Sequence, residues 1–593
     1  VPGSVELLAG AGPALRLRFA LRLAADDHVV GFGERFDAVD QRGRRPDSVV
    51  FEQYKSQGDT GRTYLPMPFA HVIGADGTAW GFHVRTARRA WFDVGATDPE
   101  RLGVEVDLGN GAPGVDLATY AGAPAQVLGA YLDEVGRAAE LPDWVLRLWA
   151  SGNEWNTQQA VTGQVERHLA EDVPVGVVVI EAWSDEEGFA VWRDARYRPR
   201  TDGSVHAAAD FDYPPDGAWP DPAGMIEDLH RLGIRVVLWQ IPLLGSGEDL
   251  GAETAAEVAL MADRGYAVRE ADGSAYRNRG WWFPDALMPD FTNPEARRWW
   301  QDRHRWLVRD LGVDGFKTDG GEHAWGRDLR YADGSRGDEG NNRYPVGYAA
   351  AFCELMAQEG AAPVTFSRAG YTGSQAHGLH WAGDENSTWE AFRHSLNAGI
   401  TAAACGIVYW GWDIAGFSGP VPDPELYLRA SAASAFLPVM QYHSEFNHHR
   451  RPLRDRTPWN VAEVHGDDRV VPVFRAYAQL RERLRGYLAD AARTAVRTDR
   501  PLLRGLFFDW PGDAGTWRHP GEFLCGDDLL VHPVTEPAAA TWTTWLPEGR
   551  WVDVWSGERL AGGAEVTRDV PLEIVPVYCR AEAWPALEPV FRG

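Results

Sequence analysis

Between residues 146 and 440 the chain repeats one pattern eight times: an apolar run of three to five residues, closed by polar, charged or aromatic side chains. The runs are Leu146–Ala150, Val177–Ile180, Arg235–Trp239, Gly315–Thr318, Val364–Ser367, Leu379–Trp381, Ile407–Trp410 and Phe436–Met440. Amphipathic helical patterns separate several of them: Asp221 to Leu232, Glu295 to Leu311, Val346 to Glu359 and Trp389 to Ala404. Short apolar strands alternating with helices make a parallel sheet, and eight such units predict an α/β fold, a (β/α)₈ barrel. The stretch 184–230 is long for a strand-to-helix connection and rich in Asp, Pro and Trp, which predicts a small subdomain inserted over the barrel mouth.

The flanks have a different texture. Short alternating runs punctuated by Gly, Pro and Asp, such as Ala14–Phe19 and Thr78–Val84, predict an N-terminal β-sandwich domain over 1–138. The barrel is expected over 139–475. Runs such as Asp528–Val534, Thr541–Leu546 and Trp551–Trp555 predict a C-terminal β-sandwich region over 476–593.

Composition narrows the partners. The 58 Lys and Arg stand against 85 Asp and Glu, a formal charge of −27. Such a chain offers phosphates no basic face, so neither nucleic acid nor an anionic membrane surface is an expected partner. No stretch reaches the ~20 apolar residues of a membrane span, and no leader pattern precedes Ser4; a cytoplasmic location is the expectation. Cys353, Cys405, Cys525 and Cys579 are scattered without metal-ligand spacing and are expected as buried thiols.

In a (β/α)₈ barrel, reacting side chains project from the carboxyl ends of the strands. Here those ends carry Asn153 and Glu154, Glu181, Gln240, Asp319 and Glu322, Arg368, Asp384 and Glu385, Trp412 and Asp413, and His443 and Glu445. Carboxylates, an Arg, a His and many indoles at one mouth suit a sugar: two carboxyls can act as acid and nucleophile while indoles stack on pyranose faces. Trp239, Trp381, Trp410 and Trp412 are the stacking candidates, although with 27 tryptophans most must be core. Which two carboxylates react is left open by the pattern.

Gly315-Phe316-Lys317-Thr318-Asp319-Gly320-Gly321-Glu322 resembles the nucleophile motif of glycoside hydrolase family 31, and His380-Trp381-Ala382-Gly383-Asp384 resembles its acid/base motif. Gly31–Phe36, Trp219 through Trp239, Trp412–Phe417 and Gly526–Val531 resemble further family segments in the family's order. The resemblance implies a retaining, exo-acting α-glycosidase with Asp319 as nucleophile and Asp384 as acid/base. Retention needs the two carboxyls about 5–5.5 Å apart, and a protonated Asp384 needs a pKa above the usual ~3.9. It also implies sugar-hydroxyl roles for Arg368 and His443, and makes Lys317 similar to a Lys that α-xylosidases and some other members carry. Asp413 and the pair His448 and His449 are expected to be structural or solvated. No cofactor and no metal are implied.

Two positions depart from the family. The second strand of the family usually ends in Asp, whereas Glu181 stands here, seven residues after Pro174. Gln240 stands where a residue facing the far edge of the sugar is expected. Both are therefore substrate-binding candidates that bear on which sugar enters. Glucose on small oligosaccharides or glycosides is the leading expectation. Xylose or galactose specificity and α-transglycosylation are the alternatives, and a non-catalytic carbohydrate-binding protein is the outside reading. The aromatic C-terminal region is compatible with homo-oligomer contacts.

Overall fold

The computed structural model describes residues 4–9, 15–55, 57–109 and 114–592. Val1–Gly3, and Ala14 at the head of the first strand-like run, lie outside them. Each of the eight apolar runs contributes a strand: β1 Leu148–Ser151, β2 Val177–Ile180, β3 Arg235–Gln240, β4 Gly315–Thr318, β5 Thr365–Ser367, β6 Leu379–Trp381, β7 Trp410–Gly411 and β8 Met440–Tyr442. They pair in parallel in the order β7-β6-β5-β4-β3-β2-β1-β8. The Val439 N–H donating to Trp410 O at 3.0 Å and the Asp413–Gln441 bridge join the two ends, so the sheet closes as a barrel. The strands are buried on both faces, which is why they read as continuous apolar runs rather than alternating ones.

The helices start where their capping chemistry begins. Asn293 accepts from the Glu295 and Ala296 N–H groups ahead of Pro294–Arg309, and the Thr388 hydroxyl accepts from Ala391 N–H ahead of Trp389–Ala404. The expected helix from Val346 begins earlier, spanning Gly337–Gln358. The connection after β2 is irregular over 184–221, with paired contacts Ser184–Trp192 and Arg196–Asp212. A second excursion, between β3 and Pro294, carries the helix Ala252–Arg264 and the loop 278–286.

Before the barrel, a five-stranded and a four-stranded antiparallel sheet enclose Val29, Phe32, Val72, Phe82, Phe92 and Val104. After it, a six-stranded antiparallel sheet packs with a two-stranded ribbon, Thr541–Leu546 with Ala564–Asp569. A helix of 29 residues, Val470–Thr498, runs across the expected boundary at 475. All four cysteines are buried thiols. Among the described residues no helix is long and apolar enough to cross a membrane.

Candidate active site

The carboxyl ends of the strands open into a cavity of about 400 Å³ lined by Glu181, Trp239, Lys317, Asp319, Arg368, Asp384 and His443, among others. Asp319 follows β4 directly. Its Oδ2 accepts from Trp239 Nε1 at 3.0 Å, and its Oδ1 accepts from Gly320 N–H at 2.8 Å and lies 3.1 Å from Arg368 Nε. Three donors fix the orientation of this carboxylate. Gly320 can turn its amide back onto Asp319 because it adopts φ +73°, and a Cβ there would lie 3.1 Å from both His323 and Ile241.

Arg368, from the end of β5, is the hub. Its Nη1 lies 3.3 Å from Asp384 Oδ2 while its Nη2 pairs with the fully buried Glu322. The guanidinium is 4.7 Å from the centre of the Tyr64 ring and 5.0 Å from that of Trp282. Burial pushes the Asp384 carboxyl up to about 6; Arg368 opposes the shift and Asp319 adds to it.

The deep end is polar and closed. Lys317 Nζ donates to Glu181 Oε1 at 2.7 Å and lies 4.7 Å above the Trp381 ring. Burial alone would lower the Lys317 ammonium, but Glu181, Asp413 and Asp319 outweigh it and hold the amine charged. His443 Nε2 is 3.4 Å from the same Glu181 oxygen, and burial beside Lys317 and Arg456 holds the imidazole neutral. Two buried cations, Arg368 and Lys317, thus face Glu52, Glu181, Asp319, Glu322, Asp384 and Asp413. They cannot neutralise six carboxylates, so some of these groups keep protons near neutral pH. Burial pushes Asp413 up to about 7 and Glu52 up to about 7.

Four of the expected substrate contacts, Gln240, Trp381, Trp410 and Trp412, lie outside the cavity lining. Side chains alternate faces along a strand, so neighbours point opposite ways. Trp239 lines the cavity, whereas Gln240, its neighbour, is fully buried and donates to Phe189 O at 2.8 Å, tying the inserted segment to β3. Trp410, in β7, and Trp412, just beyond it, both turn away from the cavity: Trp410 donates to Glu34 at 2.8 Å, and Trp412 stacks on Phe392 at 5.3 Å. Trp381 faces inward but lies beneath Lys317, 4.9 Å from Phe366 in the barrel core. Asp413 accepts from the Gln441 side chain at 2.5 Å. Glu154 accepts from the Asn447 and His449 N–H groups at 2.7 and 3.1 Å, so it pins the 446–449 loop, while Asn153 and Asn156 line the cavity. No group of three His, Cys, Asp or Glu among the described residues is disposed to hold a metal ion.

The strand ends did not point to the cavity's outer wall. Glu52 and Tyr54 come from the N-terminal domain, and Trp281, Trp282 and Phe283 from the excursion after β3. The signal available was Gly280-Trp281-Trp282-Phe283-Pro284, an aromatic run inside a Gly/Pro-bounded loop.

A (β/α)₈ barrel whose mouth gathers carboxylates around one guanidinium beneath an aromatic rim is the framework of a glycoside hydrolase. The chain belongs to glycosyl hydrolase family 31. Residues 138–491 match that family's TIM-barrel domain, 499–583 its C-terminal domain, and 11–93 its N-terminal galactose mutarotase-like domain. It is a retaining α-glycosidase. It is 64% identical over 587 residues to the 1,3-alpha-isomaltosidase of Kribbella flavida, covering 99% of this chain and 80% of that protein. It is 35% identical to the isomaltosyltransferase of Sporosarcina globispora over 94% of this chain and 51% of that longer protein. The solved cycloalternan-degrading enzyme of Trueperella pyogenes in complex with cycloalternan superimposes with a TM-score of 0.96 at 59% identity, covering 98% of this chain and 80% of that one.

Proposed function

We propose that the enzyme cleaves α-1,3 linkages that join isomaltosyl units, with Asp319 as nucleophile and Asp384 as acid/base. The observation that carries the two catalytic roles is the Arg368 guanidinium, 3.1 Å from Asp319 and 3.3 Å from Asp384. One rigid cation sets the two carboxyls side by side where a glycosidic bond can lie between them. Asp384 protonates the bridging oxygen as Asp319 forms a bond to the anomeric carbon. Water then gives its proton to Asp384 and its oxygen to the anomeric carbon, and the Asp319 ester breaks with the configuration restored. A carboxyl raised to about 6 is a workable acid near neutral pH.

The substrate class rests on likeness to the 1,3-alpha-isomaltosidase and to the cycloalternan-degrading enzyme, the latter also solved with a covalent intermediate. Carbohydrate is accordingly the partner, and the sealed Glu181–Lys317–His443 end supplies charged and neutral donors for sugar hydroxyls. The test is product analysis on cycloalternan and its ring-opened tetrasaccharide. The ring is expected to open to the tetrasaccharide first, and the tetrasaccharide to give isomaltose as its sole early product. Glucose released first would replace this reading by an α-glucosidase, and products longer than the substrate would replace it by a transferase.

A further inference from the structure

Tyr64 belongs to the N-terminal domain, just ahead of the strand Pro66–Ile73, and is fully buried. It stands behind the cavity wall rather than in it, so it does not touch the substrate. It nevertheless meets both loops that carry the reacting groups. The N–H of Gly370, just past Arg368, donates to Tyr64 O at 3.1 Å. The Tyr64 ring packs on the backbone of Gly383, the residue before Asp384. Gly383 adopts φ +79°, and a Cβ there would stand 2.4 Å from Tyr64 Cε2. The centre of the same ring lies 4.7 Å from the Arg368 guanidinium. The Tyr64 hydroxyl, also buried, finds no hydrogen-bond partner among the described residues, so what reaches Arg368 is the ring face.

The N–H donors of a guanidinium radiate in its plane, and its two faces make no hydrogen bonds. The edge of Arg368 is occupied by Asp319, Glu322 and Asp384. What fixes the tilt of that plane is whatever covers the faces. We propose that Tyr64 is a positioning residue for the reaction: its ring face fixes the plane of the Arg368 guanidinium and so holds the cation against Asp384. This rests on the assignment of Asp384 as acid/base. Arg368 keeps the Asp384 carboxyl below where burial would put it, so a looser guanidinium raises that carboxyl. The groups that face Asp384 are Arg368, Lys317, Asp319, Glu322, Glu52 and its neighbour Glu385. Of these, Arg368 is the one stacked on Tyr64, which makes it the electrostatic route from Tyr64 to the acid/base. The Gly383 contact is a second route, through packing alone, so a test must hold it constant.

The test changes the charge on the ring face and not the shape of the ring. Tyr64→Phe removes the orphan hydroxyl and keeps the face. 3,4,5-Trifluorophenylalanine at position 64, introduced by nonsense suppression, fills nearly the same space with the negative charge of the face withdrawn. The readout is the pH profile of kcat/KM on a 4-methoxyphenyl α-glycoside of whichever sugar the wild type releases. Tyr64→Phe should keep the wild-type midpoint. The fluorinated protein should move it upward by about 0.5 pH unit or more and lower the plateau by about 3-fold or more, because a desolvated cation is strongly held by an aromatic face. Identical profiles for the two would overturn the proposal, since Tyr64 would then only fill space. A Tyr64→Phe profile as displaced as the fluorinated one would overturn it too, by giving the effect to the hydroxyl. Asp384→Ala tells the two readings apart: its profile must lack this limb, and a limb that persists there overturns the acid/base assignment itself.

Discussion

Lys317 Nζ and Glu181 Oε1 lie 2.7 Å apart with both side chains closed off from solvent, and His443 approaches the same oxygen at 3.4 Å. The glutamate is the position where the family resemblance called for an aspartate. The longer side chain reaches a lysine on β4 two residues before Asp319, so the departure and the lysine make one device. Removing one partner of a buried ion pair leaves an uncompensated charge, which costs about 3–5 kcal/mol, whereas replacing both can be nearly neutral. Lys317→Met alone should therefore depress the thermal midpoint strongly, since the carboxylates around it already outnumber the cations. Glu181→Leu with Lys317→Met should recover much of the stability and none of the activity. A double variant no more stable than the single one would disprove a pair relationship.

Asp319→Ala should abolish turnover while the unfolding transition stays cooperative, since its donors Trp239 and Gly320 remain packed. Azide should restore consumption of an aryl α-glycoside in this variant, giving a β-glycosyl azide because the anion attacks from the face the carboxylate vacated. An α-azide, or no response alongside substantial residual hydrolysis, would place the nucleophile elsewhere.

The acid limb of the chemistry should follow Asp384. Its carboxyl must be protonated to act, and burial pushes it up to about 6. kcat/KM on a poor leaving group should thus fall as pH rises through about 6. Arg368 holds that value down, so Arg368→Met should move the fall to higher pH while also lowering the plateau. Asp384 and Glu52 share Arg368, so the measured midpoint belongs to the group of carboxyls rather than to one of them. A profile that Arg368→Met leaves unmoved would separate the guanidinium from the titration.

How far the sequence reached can be traced through particular residues. The places of Asp319, Arg368 and Asp384 at the mouth were legible because barrel strands end there and their runs are short enough to fix which residue comes next, whereas the choice of these three among the strand-end residues came only from the family resemblance. Trp410 and Trp412 misled because a residue at a strand's end still obeys the two-residue alternation, and Gly411 between them marks the inward face. Glu52 and Trp281 were not legible. Each reaches the cavity from a separate segment, and no local period records which loop a tertiary contact will bring over the mouth. The Glu181 departure was visible, but its partner became clear only when β2 and β4 were placed on opposite sides of β3.

Glu34 offers a test of the contact between the N-terminal domain and the barrel. It is fully buried, accepts from Trp410 Nε1 at 2.8 Å and from the Thr63 hydroxyl at 3.4 Å, and burial pushes it up to about 8. In the unfolded chain the same group ionises near its ordinary value of about 4.5. Between those two values folding takes up a proton, so this residue's contribution to stability declines as pH rises across the window. Glu34→Gln keeps the acceptor for Trp410 and removes the titration. Its thermal midpoint should therefore fall less than that of the wild type between pH ~5 and ~8. Glu385 and Asp413, also raised by burial, contribute the same sign in both proteins and cancel in the difference. Parallel midpoint curves would mean that Glu34 is ionised in the folded protein, with Arg35 beside it as the compensating charge.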